Sequence, residues 1–167
     1  MHNKIYIFGG TGAGKTTFAK KLSEILNIPF YTTDMFVYRK DWKSKYSEKE
    51  RGKRVADVAK KKKWIVEGVH RSLWITPIFK KADYVIILDI NVFMRYIHVI
   101  KRYFERRKSK NPDDIKITLK ILNWTRKYTH GHLPDHKRLI KLHKKEFIIL
   151  KNKKQMNSFI ETLKPSR

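Results

Sequence analysis

A glycine-rich segment near the start of the chain has residue types and spacing suited to phosphate chemistry. Its sequence from Gly9 to Thr16, GGTGAGKT, matches the pattern G-x-x-x-x-G-K-[ST] at every fixed position. Glycines allow the backbone to bend so that successive N–H groups point inward, and a following helix N-terminus adds its dipole. Lys15 would reach the β and γ phosphates of ATP, and the Thr16 hydroxyl would ligate magnesium. The residues predicted to contact the nucleotide are Gly9, Thr11, Gly12, Ala13, Gly14, Lys15, Thr16 and Thr17.

Carboxylates that follow predicted strands could complete a site for phosphoryl transfer. Glu67 ends the third predicted strand and Asp89 the fourth, and each could fix magnesium through water. Asp34 comes just after the second strand and could hydrogen-bond or deprotonate an acceptor hydroxyl. In an open parallel sheet, ligands bind at the carboxyl ends of the strands, where all of these residues are expected. Helix capping or an ordinary loop position is the alternative for each.

A basic stripe lies on the helix predicted after the fourth strand. Arg95, Arg102 and Arg106 share one helical face, with His98 on the same stripe. Placed above a triphosphate, this stripe would neutralise charge on the transferring group, as an arginine finger does. A solvated basic helix face is the alternative.

Strands and helices alternate along the chain in a way that would bring these residues together. Short apolar runs at residues 5–8, 29–32, 64–66, 84–88 and 147–150 are predicted strands. Predicted helices cover residues 15–26, 41–63, 72–80, 91–108, 112–127, 135–145 and 156–163, with Pro77 expected to break the third and Asn91 to cap the fourth. Since each strand is apolar throughout, the sheet is predicted to be parallel and covered on both faces.

The composition favours a single globular domain with polyanionic partners. The chain has 167 residues, of which 41% are hydrophobic and 13% aromatic, so it can bury a core and is not intrinsically disordered. Its 40 Lys and Arg residues against 15 Asp and Glu residues give a net charge of +25, which favours nucleotides, nucleic acid or acidic membrane as partners. A general bias toward lysine is the alternative explanation of this charge.

Two absences narrow the class of protein. The chain has no cysteine, which excludes a disulfide scaffold, a zinc finger and a thiol nucleophile and is compatible with a reducing cytosol. The longest apolar stretch, residues 84–88, is too short to cross a membrane, and the first strand begins without a preceding signal region. These features predict a soluble cytoplasmic domain without a membrane partner.

Several segments resemble, in order and spacing, adenylate kinase and its relatives. Beside the glycine-rich segment they are residues 33–35 (TDM), 65–71 (IVEGVHR) and 83–89 (DYVIILD). Trp64 at the head of the third strand, the basic segment 101–103 and Trp124 are most similar to the small relatives labelled DNA topology modulation proteins. The resemblance covers nearly the whole chain, and only the glycine-rich segment is specific by itself.

The resemblance implies a fold as well as ligands. The fold would be an α/β P-loop sandwich of three layers, with a five-stranded parallel sheet of order 2-3-1-4-5. It would form a single domain over residues 1–167, with a basic helical lid at about residues 95–135. ATP and Mg²⁺ would bind at the glycine-rich loop.

The resemblance also suggests how an acceptor is held. Adenylate kinases grip the acceptor phosphate with the arginine after the third-strand motif, a position that Arg71 occupies, so the acceptor is expected near Asp34 and Arg71. Of the two lid arginines usual in the family, Arg102 matches the second, while His98 stands in place of the first. Arg95 lies one turn away and is a further candidate for substrate binding.

Together these observations predict an ATP-dependent kinase that transfers the γ-phosphoryl group to a nucleotide-like or other small acceptor. The alternative is a nucleic-acid-associated ATP-binding protein, or a polynucleotide-end kinase affecting DNA topology, that contacts nucleic acid through its basic surface. The acceptor and the oligomeric state stay open. The predicted catalytic residues are Lys15, Asp34, Arg102 and Arg106.

Overall fold

The apolar runs of the sequence form a parallel sheet. The computed structural model describes residues 3–41, 43–70, 72–107, 115–128 and 146–163. The strands are β1 Lys4–Gly9, β2 Phe30–Thr32, β3 Trp64–Gly68, β4 Tyr84–Leu88 and β5 Phe147–Leu150. Their order across the sheet is β2-β3-β1-β4-β5, and each neighbouring pair runs parallel. This arrangement confirms the predicted α/β fold class and strand order.

Helices cover both faces of this sheet. The described helices are α1 Lys15–Leu26, α2 Asp34–Val37, α3 Glu48–Ala59, α4 Thr76–Lys81, α5 Val92–Arg107, α6 Ile115–Lys127 and α7 Lys153–Glu161, with a 3-10 turn at Leu73–Ile75. On one face, α3 and α4 pack with Tyr6 and Phe8 of β1. On the other face, α1 and α7 pack with Ile5 and Ile7. Because alternate side chains of β1 enter two separate cores, the sheet is the middle layer of a three-layer sandwich.

The helix predicted from residue 41 begins later, at Glu48, for a local reason. Ser47 and Glu50 form a capping box in which each side chain accepts a hydrogen bond from the backbone N–H of the other residue. Asp41 instead closes a turn, because its carboxylate accepts hydrogen bonds from the N–H groups of Lys43 and Ser44. The polar stretch before α3 is therefore loop, and the prediction of helix there was wrong.

Prolines and caps set the limits of other helices. Pro77 lies in the first turn of α4 and opens this helix rather than breaking it, since its missing N–H has no helical partner there. Asn152 caps α7, whose start precedes the predicted one. The short helix α2 was not predicted, and the helix predicted at residues 135–145 lies outside the described residues.

Two helices make up the described part of the predicted lid. The Asn91 side chain accepts a hydrogen bond from the N–H of Phe93 at 2.9 Å, which confirms Asn91 as the cap of α5, and α5 packs against α6. The rest of the lid, residues 108–114 and 129–135, lies outside the described residues. Within the described parts of the chain, no helix has the length and apolar character needed to cross a membrane.

Candidate active site

The glycine-rich segment forms the connection between the central strand β1 and α1. Gly12 and Gly14 have φ values of 80° and 82°, in the left-handed region that favours glycine. The loop closes with a hydrogen bond from the Ala13 N–H to the Gly10 carbonyl at 3.1 Å. At Gly12 a side chain would also collide with the backbone carbonyl of Arg95. The loop therefore needs glycine for both its bend and its close packing under α5.

Lys15 directs its ammonium group back over this loop. Its Nζ donates a hydrogen bond to the Gly10 carbonyl at 3.1 Å. Burial lowers the pKa of Lys15, and the nearby charges of Glu67 and Asp34 act in the opposite direction. Arg102 also lies near enough to Lys15 to lower its pKa. A phosphate group in the loop would therefore meet two cations.

Thr16 and Glu67 form a hydrogen-bonded pair beside the loop. The Thr16 hydroxyl donates to Oε1 of Glu67 at 2.9 Å. Glu67 lies near the carboxyl end of β3, in register with Ile7 of β1 and Thr32 of β2, and is 4% exposed. Burial raises the pKa of this carboxyl group, while Lys15 and the Thr16 hydroxyl lower it.

Asp34 is the first residue of α2 and lies at the same edge of the sheet. Its carboxylate is within electrostatic range of both Lys15 and Glu67. Oδ1 of Asp34 lies 3.4 Å from Nε2 of His70. The hydrogen bond with His70 holds the pKa of Asp34 below its ordinary value, against the effect of partial burial. The carboxylate is thus ionised at neutral pH.

His70 is a site residue that was missed as a candidate in the sequence. It lies just beyond β3, directly before Arg71, and its ring packs on Trp74 with 5.2 Å between ring centroids. Nothing local to its position marks it, since Asp34 is 36 residues away in the chain. Arg71, predicted to bind the acceptor, lies outside the described residues.

Arg95 is buried between the glycine-rich loop and α6. It is 3% exposed, and its Nε donates to the Ile90 carbonyl at 3.1 Å. The guanidinium group also lies over the ring of Tyr128, 5.6 Å from the centroid. A side chain at Gly10 would collide with this guanidinium group. Arg95 therefore packs α5 onto the loop, and its predicted contact with an acceptor stays a prediction.

Two further basic residues of α5, His98 and Arg102, lie near the loop or Lys15. Nδ1 of His98 lies 2.8 Å from the Gly12 carbonyl oxygen, and Arg102 lies one turn further along the helix. Arg106 belongs to α5, but its side chain lies outside the described atoms. Burial lowers the pKa of Arg95, and the carboxylate of Asp89, which follows β4, acts in the opposite direction. The structure thus brings Asp89 toward α5.

Comparisons with known proteins agree with this architecture. The sequence matches no protein-family model and no curated protein. The shikimate kinase of Bacteroides thetaiotaomicron is similar in structure, with a TM-score of 0.62 and 15% identity over 98% of this chain and 97% of that chain. The shikimate kinase of Acinetobacter baumannii in complex with shikimate has a TM-score of 0.61 and 15% identity over 98% of this chain and 91% of that chain. The chain therefore has the fold of the small P-loop kinases.

Proposed function

We propose that the protein is an ATP-dependent kinase that transfers the γ-phosphoryl group to a hydroxyl group of a small molecule. The observation that carries the proposal is the meeting of the glycine-rich loop, Lys15, the Thr16–Glu67 pair and Asp34 at one edge of the sheet. This edge supplies donors for phosphate on one side and an ionised carboxylate on the other. The P-loop kinase fold supports the same reading.

The chain's own groups have separate tasks in this reaction. The N–H groups of the glycine-rich loop and the ammonium of Lys15 would hold the phosphates in place. Arg102 would neutralise charge on the transferring group, since phosphoryl transfer depends mainly on positioning and electrostatics. Asp34 would accept a hydrogen bond from the acceptor hydroxyl and align its oxygen for in-line attack. Arg71, Arg95 and Arg106 stay candidates for further contacts with the acceptor and the phosphates.

The oxygen donors near the loop fit magnesium. Thr16 and Glu67 present a hydroxyl and a carboxylate, the ligand types that Mg²⁺ prefers, and they already lie in contact. Among the described residues, no three His, Asp or Glu side chains cluster as a metal site, so phosphate oxygens and water would supply the other ligands. Bound Mg²⁺ would neutralise phosphate charge. Asp89 stays a candidate for a contact through water.

Production of ADP from Mg-ATP across a panel of acceptors tests the proposal. Shikimate is the first acceptor to try, because a protein of the same fold has been solved in complex with it. Nucleoside monophosphates, nucleosides and sugars follow. The net charge of +25 is the reason to include DNA 5′ ends. ADP formed only with DNA would favour the polynucleotide-end kinase. If none of the acceptors increased ADP production, the proposal of a kinase would be contradicted.

The lysine of the loop provides the sharpest variant. Lys15→Ala removes the ammonium that lies over the loop, and we expect ADP production to fall by about a hundredfold or more. Lys20→Ala changes an exposed lysine of the same helix and should leave the rate as it is. Equal rates for the two variants, with both folded by circular dichroism, would show that the phosphate site is elsewhere.

A further inference from the structure

The imidazole of His70 is held from several directions at the edge of the candidate acceptor site. Its backbone carbonyl accepts a hydrogen bond from the buried Tyr6 hydroxyl at 3.2 Å. Its ring packs on Trp74, with the ring planes inclined by 51°. Nε2 points to Oδ1 of Asp34 at 3.4 Å. A ring anchored through its backbone and one face has little freedom to leave the carboxylate.

Asp34 depends on this ring more than on its own surroundings. The backbone just before it is fixed, because the Thr33 N–H donates to the Glu67 carbonyl at 2.8 Å and the Thr33 side chain packs over Gly68. The carboxylate itself is 58% exposed and belongs to a helix of four residues. Side chains with that exposure change rotamer readily. The contact with His70 therefore limits the directions in which the carboxylate can point.

We propose that His70 is a positioning residue that orients Asp34 toward the acceptor hydroxyl. This inference rests on the proposed kinase function. The imidazole engages Oδ1, so Oδ2 is the oxygen assigned to the acceptor. The same contact keeps the carboxylate ionised to lower pH. Two other charged groups act on or with Asp34: Lys15 at the start of α1 and Glu67 on β3. Arg54 of α3 also lies on this side, because it donates to the carbonyl of the neighbouring Met35.

Two substitutions separate the hydrogen bond from the packing of the ring. His70→Phe keeps an aromatic ring on Trp74 and removes the donor, so kcat/KM for the acceptor should fall by about tenfold, with the KM for ATP unchanged. His70→Gln keeps an N–H donor at similar reach and should recover most of that loss. Unchanged kcat/KM in His70→Phe, or a loss in His70→Gln as large as that in His70→Phe, would overturn the proposal.

The pH profile distinguishes positioning from a merely structural role. Activity that needs ionised Asp34 is lost as the pH falls through its pKa, and loss of the hydrogen bond raises that pKa. The acidic limb of the kcat/KM profile should therefore move to higher pH in His70→Phe. If the acidic limb of His70→Phe stayed at the wild-type pH, the pairing of His70 with Asp34 would be contradicted.

A measurement without substrate tests the pair independently of catalysis. The carboxyl pKa of Asp34, followed by carbon-13 NMR on the full chain, should be higher in His70→Phe than in the wild type. An unchanged pKa would overturn the role of His70 while leaving acceptor-dependent ADP production intact. Absence of ADP with every acceptor would instead refute the kinase, whatever the NMR shows. Thermal unfolding of both variants serves to confirm that they are folded.

Discussion

At the scale of single residues, the candidate site combines charges that would be costly if each were alone. Glu67 is buried, yet its carboxylate accepts a hydrogen bond from the Thr16 hydroxyl and lies near Lys15. Lys15 lies over the loop, where burial disfavours its charge and the carboxylates Glu67 and Asp34 favour it. Such mutual compensation is common at sites that bind charged ligands. A triphosphate with its metal would replace part of this arrangement with stronger interactions.

The pKa of Glu67 leads to a prediction on stability. Burial raises it above the ordinary value of 4.5, so the folded chain binds the proton more tightly than the unfolded chain. As the pH rises above 4.5, ionisation of Glu67 therefore lowers the free energy of unfolding. Glu67→Gln removes this cost, and its free energy of unfolding relative to the wild type should increase between about pH 4 and about pH 8.

Urea denaturation at the two pH values measures this difference. The control variant is Glu24→Gln, which replaces an exposed carboxylate of α1 instead of a buried one. Glu67→Gln should also need more Mg²⁺ for half-maximal activity if the carboxylate orients the metal. A constant stability difference at both pH values would contradict the assigned cost of burial.

At the scale of elements, the close packing of β2 against β3 places Asp34. Gly68 ends β3, and a side chain there would collide with the side chain of Thr33, which follows β2. Thr33 is 1% exposed and β-branched, so it has little room to move aside. Both contacts act directly before Asp34 in the chain. The position of Asp34 is therefore set by the ends of β2 and β3 rather than by α2 itself.

Two glycine substitutions should have opposite effects for this reason. Gly68→Ala forces Thr33 out of place and should lower the free energy of unfolding by about 1–3 kcal/mol. Gly52→Ala is the matched control, since beyond its chain neighbours and its own helix backbone nothing lies within 4 Å of the added methyl group. Alanine also favours helix α3 by about 0.5–1 kcal/mol. Chemical denaturation measures both. Equal effects of the two substitutions would show that a methyl group at Gly68 does not collide with Thr33.

At the scale of the whole molecule, the last strand and the last helix of the described chain pack against earlier elements of the fold. β5 pairs with β4, and α7 packs against α1 and β5. We propose on this basis that residues 1–167 form a single domain. The net charge of +25 acts against this compact state through self-repulsion. The same charge favours phosphate-bearing ligands at any exposed face.

Salt should stabilise the protein, because it screens this repulsion. Raising NaCl from about 0.05 M to about 0.5 M shortens the Debye length from roughly 14 to 4 Å, and the Tm should rise. Far-UV circular dichroism and tryptophan fluorescence should report one coincident transition if the chain is a single domain. A Tm that falls with salt would contradict the role of net charge, and two separate transitions would contradict the single domain.

Local patterns in the sequence were sufficient for much of the architecture. The strands are short apolar runs between polar segments, and a strand buried on both faces has to be apolar throughout, so their positions and the parallel sheet could be predicted. The glycine-rich segment could be recognised because φ values above zero at Gly12 and Gly14 favour that residue type. Asp34 and Glu67 could be placed at one edge because parallel strands end on the same side.

The tertiary structure decided which side chains meet across long distances in the chain. His70 pairs with Asp34. Arg95 packs over the ring of Tyr128 and against the loop, whereas the sequence offered it as a member of a basic stripe above a triphosphate and as a candidate for substrate binding. Helical periodicity tells which residues share a face, but the neighbours of that face depend on how the helix docks. Chemistry at this site was therefore readable from residue types, while its geometry required the packed fold.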